Sequence, residues 1–313
     1  MRCIRLSTFV VSLSILWGQA AFAENLLELN RSFIEKYKNR LTISGDYFVD
    51  AAHKKPNAPA QDGDMHVAGR SAEIGLATVA EIQNAKLSPK AVDAVHQVEG
   101  TGQSVPIKGV WRIWPEHGGD NSFIQQSGAG DPFSGTPPTN PPHVFEIHPI
   151  LQIDQQDVSG NLKPIEGYTA KVAEDAFGRY EGGKFEISPA GDRVRMNMRM
   201  IGYNYVEFLM KLKKRFNRVE DGEFVSASIH SLDGELIVHD RRVGFVAGTA
   251  PDEKQRTLQV GECMEVLGIP RIDLALVSWR VRNVSPDALK WSLPYEIIAV
   301  GAYADAPKEC GDD

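Results

Sequence analysis

Past residue 23, no apolar run in this sequence approaches the roughly 18 residues that cross a bilayer. No tract of clustered lysine and arginine occurs, and only two cysteines remain, Cys263 and Cys310. The first absence excludes a stable membrane helix, the second a polycationic arm for nucleic acid, and the third a scaffold stapled by many disulfides. Catalytic signatures are missing too. There is no Gly-x-Ser-x-Gly elbow, no phosphate loop and no dinucleotide fingerprint; the glycines at Gly128, Gly130 and Gly248 lack the strand-to-helix context those motifs need. Histidine thins out in the second half, since six of the eight lie between His53 and His148.

What is present starts with a leader. Arg2 and Arg5 precede an apolar core from Phe9 to Trp17, and Ala21-Phe-Ala23 is a small-x-small cleavage box. The pattern predicts export, with cleavage after Ala23 and a periplasmic or secreted location. Losing Arg2 and Arg5 takes the formal net charge from −7 to −9, a balance that repels bulk nucleic acid and anionic membrane. In an oxidising compartment Cys263 and Cys310 can pair and pin the tail, residues 306–313, onto the body; the alternative is two separate thiols.

Asn25 to Leu41 carries apolar residues at helical spacing (Leu26, Leu29, Phe33, Tyr37, Leu41) and predicts an N-terminal helix over 24–41. Strand patterns follow at 43–49, 65–69, 74–82, 105–114 and 143–153, with a helix over 88–96 that has Ser88 as N-cap and Pro89 at its first position. Gln125 to Pro142, dense in glycine and proline, reads as an exposed loop or flap. Ser159 to Gly167 reads as a boundary. Beyond it strand-like runs dominate, 272–281 among them, while 170–180 fits a short helix and 258–266 fits either state. The fold class expected is mainly β: an OB-like barrel over 42–158, then a β-sandwich or barrel over 165–305. Comparing the halves residue by residue reveals no internal repeat.

Two strand-like stretches carry polar residues that strands seldom bear. In His143-Val-Phe-Glu-Ile-His-Pro-Ile-Leu-Gln-Ile153, alternation puts Glu146 and His148 on one face and His143 with Phe145 on the other. A regular strand therefore cannot converge all three polar groups, and Pro149 marks an edge or a bulge. In Gln61-Asp-Gly-Asp-Met-His-Val-Ala-Gly-Arg70, Asp64 and His66 share a face. The expectation is that the stretches meet, with Glu146 and His148 facing Asp64 and His66 across neighbouring strands. Such a mixed shell suits zinc or a similar divalent ion, with Asp64, His66 and His148 as ligands and Glu116, His117 and His143 as further candidates. No helical His-Glu-x-x-His spacing is present, and the alternative is a set of loop caps in a polar-rich barrel. Trp111 and Trp114 should point to opposite faces, one into a core and one into a cleft; Trp114, Arg112 and Arg70 are the candidate ligand contacts.

Asp62-Gly63-Asp64 resembles the Asp-Gly-Asp element of staphylococcal-nuclease-like OB barrels, which implies an aspartate that helps to hold calcium; the downstream acidic and arginine elements of that family are not matched. Asp62-Gly-Asp-Met-His66 together with Glu146-Ile-His-Pro149 is similar to motifs of uncharacterised bacterial secreted proteins, over the first half of the mature chain, which implies no activity. Two functions are expected. One is an exported binding or interaction protein for a small molecule or an envelope protein, with the 125–142 loop gating its cleft, or a scaffold part of an envelope complex. The other is a metal-dependent hydrolase, a nuclease or phosphoesterase, in which Asp64, His66 and His148 hold the ion and Glu146 or His117 moves the proton.

Overall fold

A computed structural model describes residues 24–130, 137–216, 218–283, 290–304 and 309–311; the predicted leader lies outside the described residues. The chain enters as a strand, β1 (Glu24–Asn30), and only Arg31–Tyr37 form helix α1. The residues that predict one helix over 24–41 serve both elements. Leu27 and Leu29 alternate inward from the strand, and Phe33, Ile34 and Tyr37 then bury the short helix.

The first barrel is built from β2 (Thr42–Ala52), β3 (Met65–Arg70), β4 (Thr78–Ile82), β5 (Ser104–Ile113) and β7 (Phe145–Ile153). Helix α2 (Pro89–Val98) joins its third and fourth strands, with Pro89 at the start as expected, although Ser88 turns its hydroxyl to Asn161 and not to the helix. Short strands β6 (Ser122–Ile124) and β8 (Gln156–Asp157) flank β7 in sequence. The strand order is β4-β3-β2-β5-β7, and β4 pairs with β7 to close the cylinder. That closing pair is parallel and the other pairs are antiparallel, which is OB-like connectivity.

After β9 (Lys171–Val172), α3 (Ala173–Glu181), β10 (Lys184–Ala190) and β11 (Arg193–Arg199), a second closed barrel follows. Its strands are β12 (Val206–Arg215), β13 (Gly222–His230), β14 (Leu236–Val246), β15 (Cys263–Ile272) and β17 (Tyr295–Ala302). Helix α4 (Ala250–Thr257) again joins the third and fourth strands. Strand order and directions repeat those of the first barrel, including a parallel pair between third and fifth strands. The strand expected over 272–281 is helix α5 (Leu274–Asn283): Asp273 accepts the Leu276 N–H at 2.9 Å, and Leu274, Val277 and Ser278 share one buried face. With β16 (Lys290–Ser292), strands β10, β11, β1 and β6 form a separate sheet.

Register makes the repeat residue-specific. Arg112 lies opposite Glu146 and Ile113 opposite Phe145; likewise Arg271 lies opposite Glu296 and Ile272 opposite Tyr295. Gly109 and Gly268 each precede their arginine by one turn of the same pattern, Gly-x-x-Arg-Ile. A Cβ at Gly109 would meet Ile147 Cγ2 at 2.4 Å, and one at Gly268 would meet Ile297 Cγ2 at 2.6 Å. Both glycines are therefore required by the same fifth-strand isoleucine. An internal repeat does exist, carried by a few residues per strand. Following the same registers, His66 aligns with Phe224, Glu81 with Gly244, and His148 with Ile298.

The barrels meet along β5 and β15, the fourth strand of each, and the exchange is reciprocal. Arg112 Nε donates to Pro270 O at 2.9 Å, and Arg271 Nη1 donates to Trp111 O at 3.0 Å. Val110, Tyr205, Phe224, Ile269 and Ile298 form an apolar layer at this seam. The segment read as a boundary is wedged into the structure: Leu162 and Ile165 are buried, and Gln83 Nε2 donates to Lys163 O and Val300 O. Cys263 and Cys310 are joined in a disulfide with Cα atoms 6.2 Å apart, which ties the tail to the start of β15.

Candidate functional site

Four adjacent strands of the first barrel place polar side chains in one row on its outer face. His66 on β3 stands opposite Glu81 on β4, β4 runs beside β7 with Glu146 and His148, and Glu146 stands opposite Arg112 on β5. The alternate residues Met65, Val67, Ala80, Ile147 and Ile113 fill the barrel interior. At His148-Pro149 the register slips: Gly109 faces Ile150 and Trp111 faces Ile147, so two residues of β7 oppose Val110 alone. This bulge is the one Pro149 predicts, and it projects His148 into the row. Asp64 enters just before β3, after a turn in which Gly63 has φ +71 and Asp62 Oδ1 accepts the Asp64 N–H at 3.1 Å.

The two sequence stretches meet, although not on neighbouring strands, because β4 runs between β3 and β7. His148 Nε2 lies 3.4 Å from Asp64 Oδ2, and His148 Nδ1 lies 3.6 Å from both Glu81 Oε2 and Glu146 Oε2. His66 Nε2 is 3.6 Å from Glu81 Oε2. Asp64, Glu81, Glu146 and His148 are all buried. Tyr205, from the segment entering the second barrel, donates to Asp64 Oδ2 at 2.6 Å and sits 2.7 Å from His148 Nε2. A hydroxyl has one proton, so a Tyr205 that gives it to Asp64 must accept from His148 Nε2–H. This fixes the imidazole and aims Nδ1 at the two glutamates.

The charges sort by neighbour. Burial raises Asp64 to about 6 against the opposing pull of His148, and burial raises Glu81 as well. Glu146 is also buried, yet Arg112 and then His143 hold its carboxyl well below the usual range. Burial disfavours the His148 cation, but Glu81, Asp64 and Glu146 outweigh it and lift the imidazole to about 10. Burial lowers His66 and keeps it neutral.

Several expectations are corrected. His143 precedes β7 and is not part of its alternation, so it swings back to place Nε2 3.3 Å from Glu146 Oε1, with Nδ1 2.7 Å from Pro141 O. The three-way group that strand geometry excludes does form. Trp111 and Trp114 are both fully buried, so neither lines a cleft; Trp114 meets Tyr180 edge-on. Arg112 is likewise fully buried, spent on Glu146, Glu116 and Pro270 O, and is not open to a ligand. Arg70 is remote from the row: it pairs with Asp50 at 3.3 Å and donates to Gly130 O. Arg70 lines a separate cleft with Gln126, Ala129 and Gly130 of the 125–142 loop, of which residues 131–136 lie outside the described residues.

A cleft of about 240 Å³ opens over the row. Its walls include His66, Glu81, Glu116, His117, Tyr168 and Tyr205. His117 stacks on His143 with ring centroids 5.1 Å apart, and His53 stacks on His66 at 4.5 Å. His96 stays outside, paired with Glu99 on α2. Sequence reasoning missed Glu81 and Tyr205. Glu81 was findable as the one acid inside the apolar run 78–82, whereas nothing in the sequence placed Tyr205 beside Asp64. Asp64, Glu81 and His148 each offer a ligand atom, and these atoms lie within 4.8 Å of one another. No family model matches this chain, and no curated protein matches it.

Proposed function

We propose that Asp64, Glu81 and His148 hold a divalent transition-metal ion, and that the protein is an exported binding protein whose cleft presents this ion to its ligand. One observation carries the reading. His148 Nδ1 and Glu81 Oε2 are buried, have no hydrogen-bond partner, and point at each other across 3.6 Å. That gap is too long for a hydrogen bond. It suits two ligands of one ion, which would displace the proton that Glu81, Asp64 and Glu146 favour on His148, since donors about 2.1 Å from a tetrahedral metal stand roughly 3.4 Å apart. Asp64 Oδ1 is a third buried atom without a partner, and Tyr205 and Arg112 supply the outer hydrogen bonds that orient such ligands. His66 becomes a wall of the cleft in this reading, and Glu146, neutralised by Arg112, a support. The leader pattern and the Cys263–Cys310 disulfide support an oxidising, exported setting.

The test is metal content. Protein stripped with chelator, incubated with zinc or manganese and dialysed should retain a stoichiometric ion, and Glu81→Gln and His148→Ala should lose it while keeping the wild-type circular dichroism. Equal metal content in wild type and both variants rejects the site. A second reading, hydrolysis, is favoured by Glu116 and His117, which line the same cleft beside the ligand set. A bound ion supplies Lewis acidity and an activated water, and chelator-sensitive cleavage of a phosphodiester would separate enzyme from binder.

A further inference from the structure

A second cleft, of about 600 Å³, adjoins the first, because Tyr203 lines both. Its other walls include Arg179 of α3, Lys184 of β10, Arg199 of β11 and the exposed Met200. Lys171, a wall of the first cleft, stands 5.0 Å from the Tyr203 ring centroid, and Arg179 stands 6.0 Å from it. Four cations thus line two clefts that share Tyr203, two of them over its ring, in a chain of net charge −7. Arg199 is paired with Glu24 at 3.6 Å. Lys171, Arg179 and Lys184 have no ion pair among the described residues. Tyr203 holds φ +73, left-handed backbone that a bulky residue keeps only where its surroundings impose it, and Tyr180 OH grips its carbonyl at 2.8 Å. Beside it Asn204 lines the first cleft with a buried Oδ1 that lacks a hydrogen-bond partner.

We propose that the two clefts form one groove that binds a phosphate ester with a planar ring: phosphate among Lys171, Arg179 and Lys184, ring against Tyr203 and Met200, far end at the Asp64–Glu81–His148 set. The ion reading is needed for that far end only. Several separate cations suit a phosphate, whose charge is spread over three oxygens, better than a carboxylate, which one arginine satisfies. An aromatic ring and a thioether at the junction suit a ring face.

The probe is adenosine 5′-monophosphate, titrated calorimetrically into the full-length protein after chelation and again after manganese loading. Arg179→Gln and Lys184→Gln should each weaken binding roughly tenfold in both preparations, with ion uptake unchanged. Tyr203→Gly should weaken binding while its melting temperature matches or exceeds that of the wild type, because glycine accepts the positive φ. Lys90→Gln on α2, outside both clefts, should change nothing. Loss in Arg179→Gln with the chelated protein supports the groove even if no ion is ever taken up. Ion uptake without nucleotide binding, nucleotide binding that both cation variants leave intact, or an equal loss in Lys90→Gln overturns the groove and leaves the ion site standing.

Discussion

The two barrels solve one packing problem with the same residues and then diverge. Each sets an arginine on its fourth strand against a glutamate on its fifth, and each arginine reaches across the seam to the other barrel's backbone. In the second barrel the surroundings close the charge. Arg271 donates to Glu296, Arg40 O, Leu41 O and Trp111 O, and Arg242 lies 2.9 Å from the other oxygen of Glu296. The aligned neighbours are Phe224, Gly244 and Ile298, all apolar. The first barrel puts His66, Glu81 and His148 at those positions and leaves buried atoms of all three without hydrogen-bond partners. Barrel closure and the seam thus require the arginine–glutamate pair and not the rest. Burying polar atoms without partners is costly, and the second barrel closes with Phe224, Gly244 and Ile298 in their places.

The sharpest break of this comparison is at the closed pair. Arg271→Met should destabilise the protein by about 3–5 kcal/mol, because it strips the seam of its donors and leaves Glu296 buried beside Arg242 alone; urea unfolding measures it. Next comes making the first barrel resemble the second. Glu81→Gln with His148→Ile should still fold but lose stability in chelator at neutral pH, since it removes the buried cation that Asp64, Glu81 and Glu146 favour and leaves Asp64 with Tyr205 as its partner. The wild type should gain about 2.7 kcal/mol from an ion at one hundred times its dissociation constant, and the double variant nothing; thermal shifts with and without zinc read both. A double variant that unfolds would make the cluster structural.

How much of this was legible depended on where the information lay. Alternation within 143–153 and 61–70 fixed which polar residues share a face, and the strands that bring those faces together are the ones the pattern marks. His143 escaped because alternation applies only inside a strand, and it sits outside one. Trp114 and Arg112 escaped because local pattern cannot say what covers the outer face of a sheet; here the second half of the chain does. The second barrel was legible as β-rich, but the repeat was not. Its signature is one glycine, one arginine, one glutamate and a few aliphatics, set by cross-strand register and invisible to linear comparison. Glu81 and Tyr205 join Asp64 only through such long-range pairing.

Smaller effects sharpen the comparison at its shared glycines. Gly109→Ala and Gly268→Ala should both destabilise by about 1–3 kcal/mol through overpacking. The first should cost more, since its Cβ would also lie 2.7 Å from Pro149 O, a backbone atom in the bulge, whereas Gly268 meets mainly side chains, Ile297 and Phe208. Only Gly109→Ala should also weaken ion uptake, because the bulge carries His148. Equal effects of the two on uptake would separate the bulge from the site.

The smallest change expected is at Tyr205, and it distinguishes an oriented site from a mere cluster. Its hydroxyl is the group that donates to Asp64 and accepts from His148, and among the described residues of the second barrel none copies that task, Tyr205 itself lying at the entry to that barrel. Tyr205→Phe keeps the ring and its edge contact with His148 and removes one oxygen. Stability should fall by about 1 kcal/mol, the ordinary worth of a buried hydrogen bond. Ion affinity should fall roughly tenfold, because His148 loses the partner that fixes its tautomer and orientation. The increment from added zinc is the informative quantity: a hydrogen bond that is only structural lowers stability in chelator and leaves that increment unchanged, whereas an orienting one shrinks the increment as well.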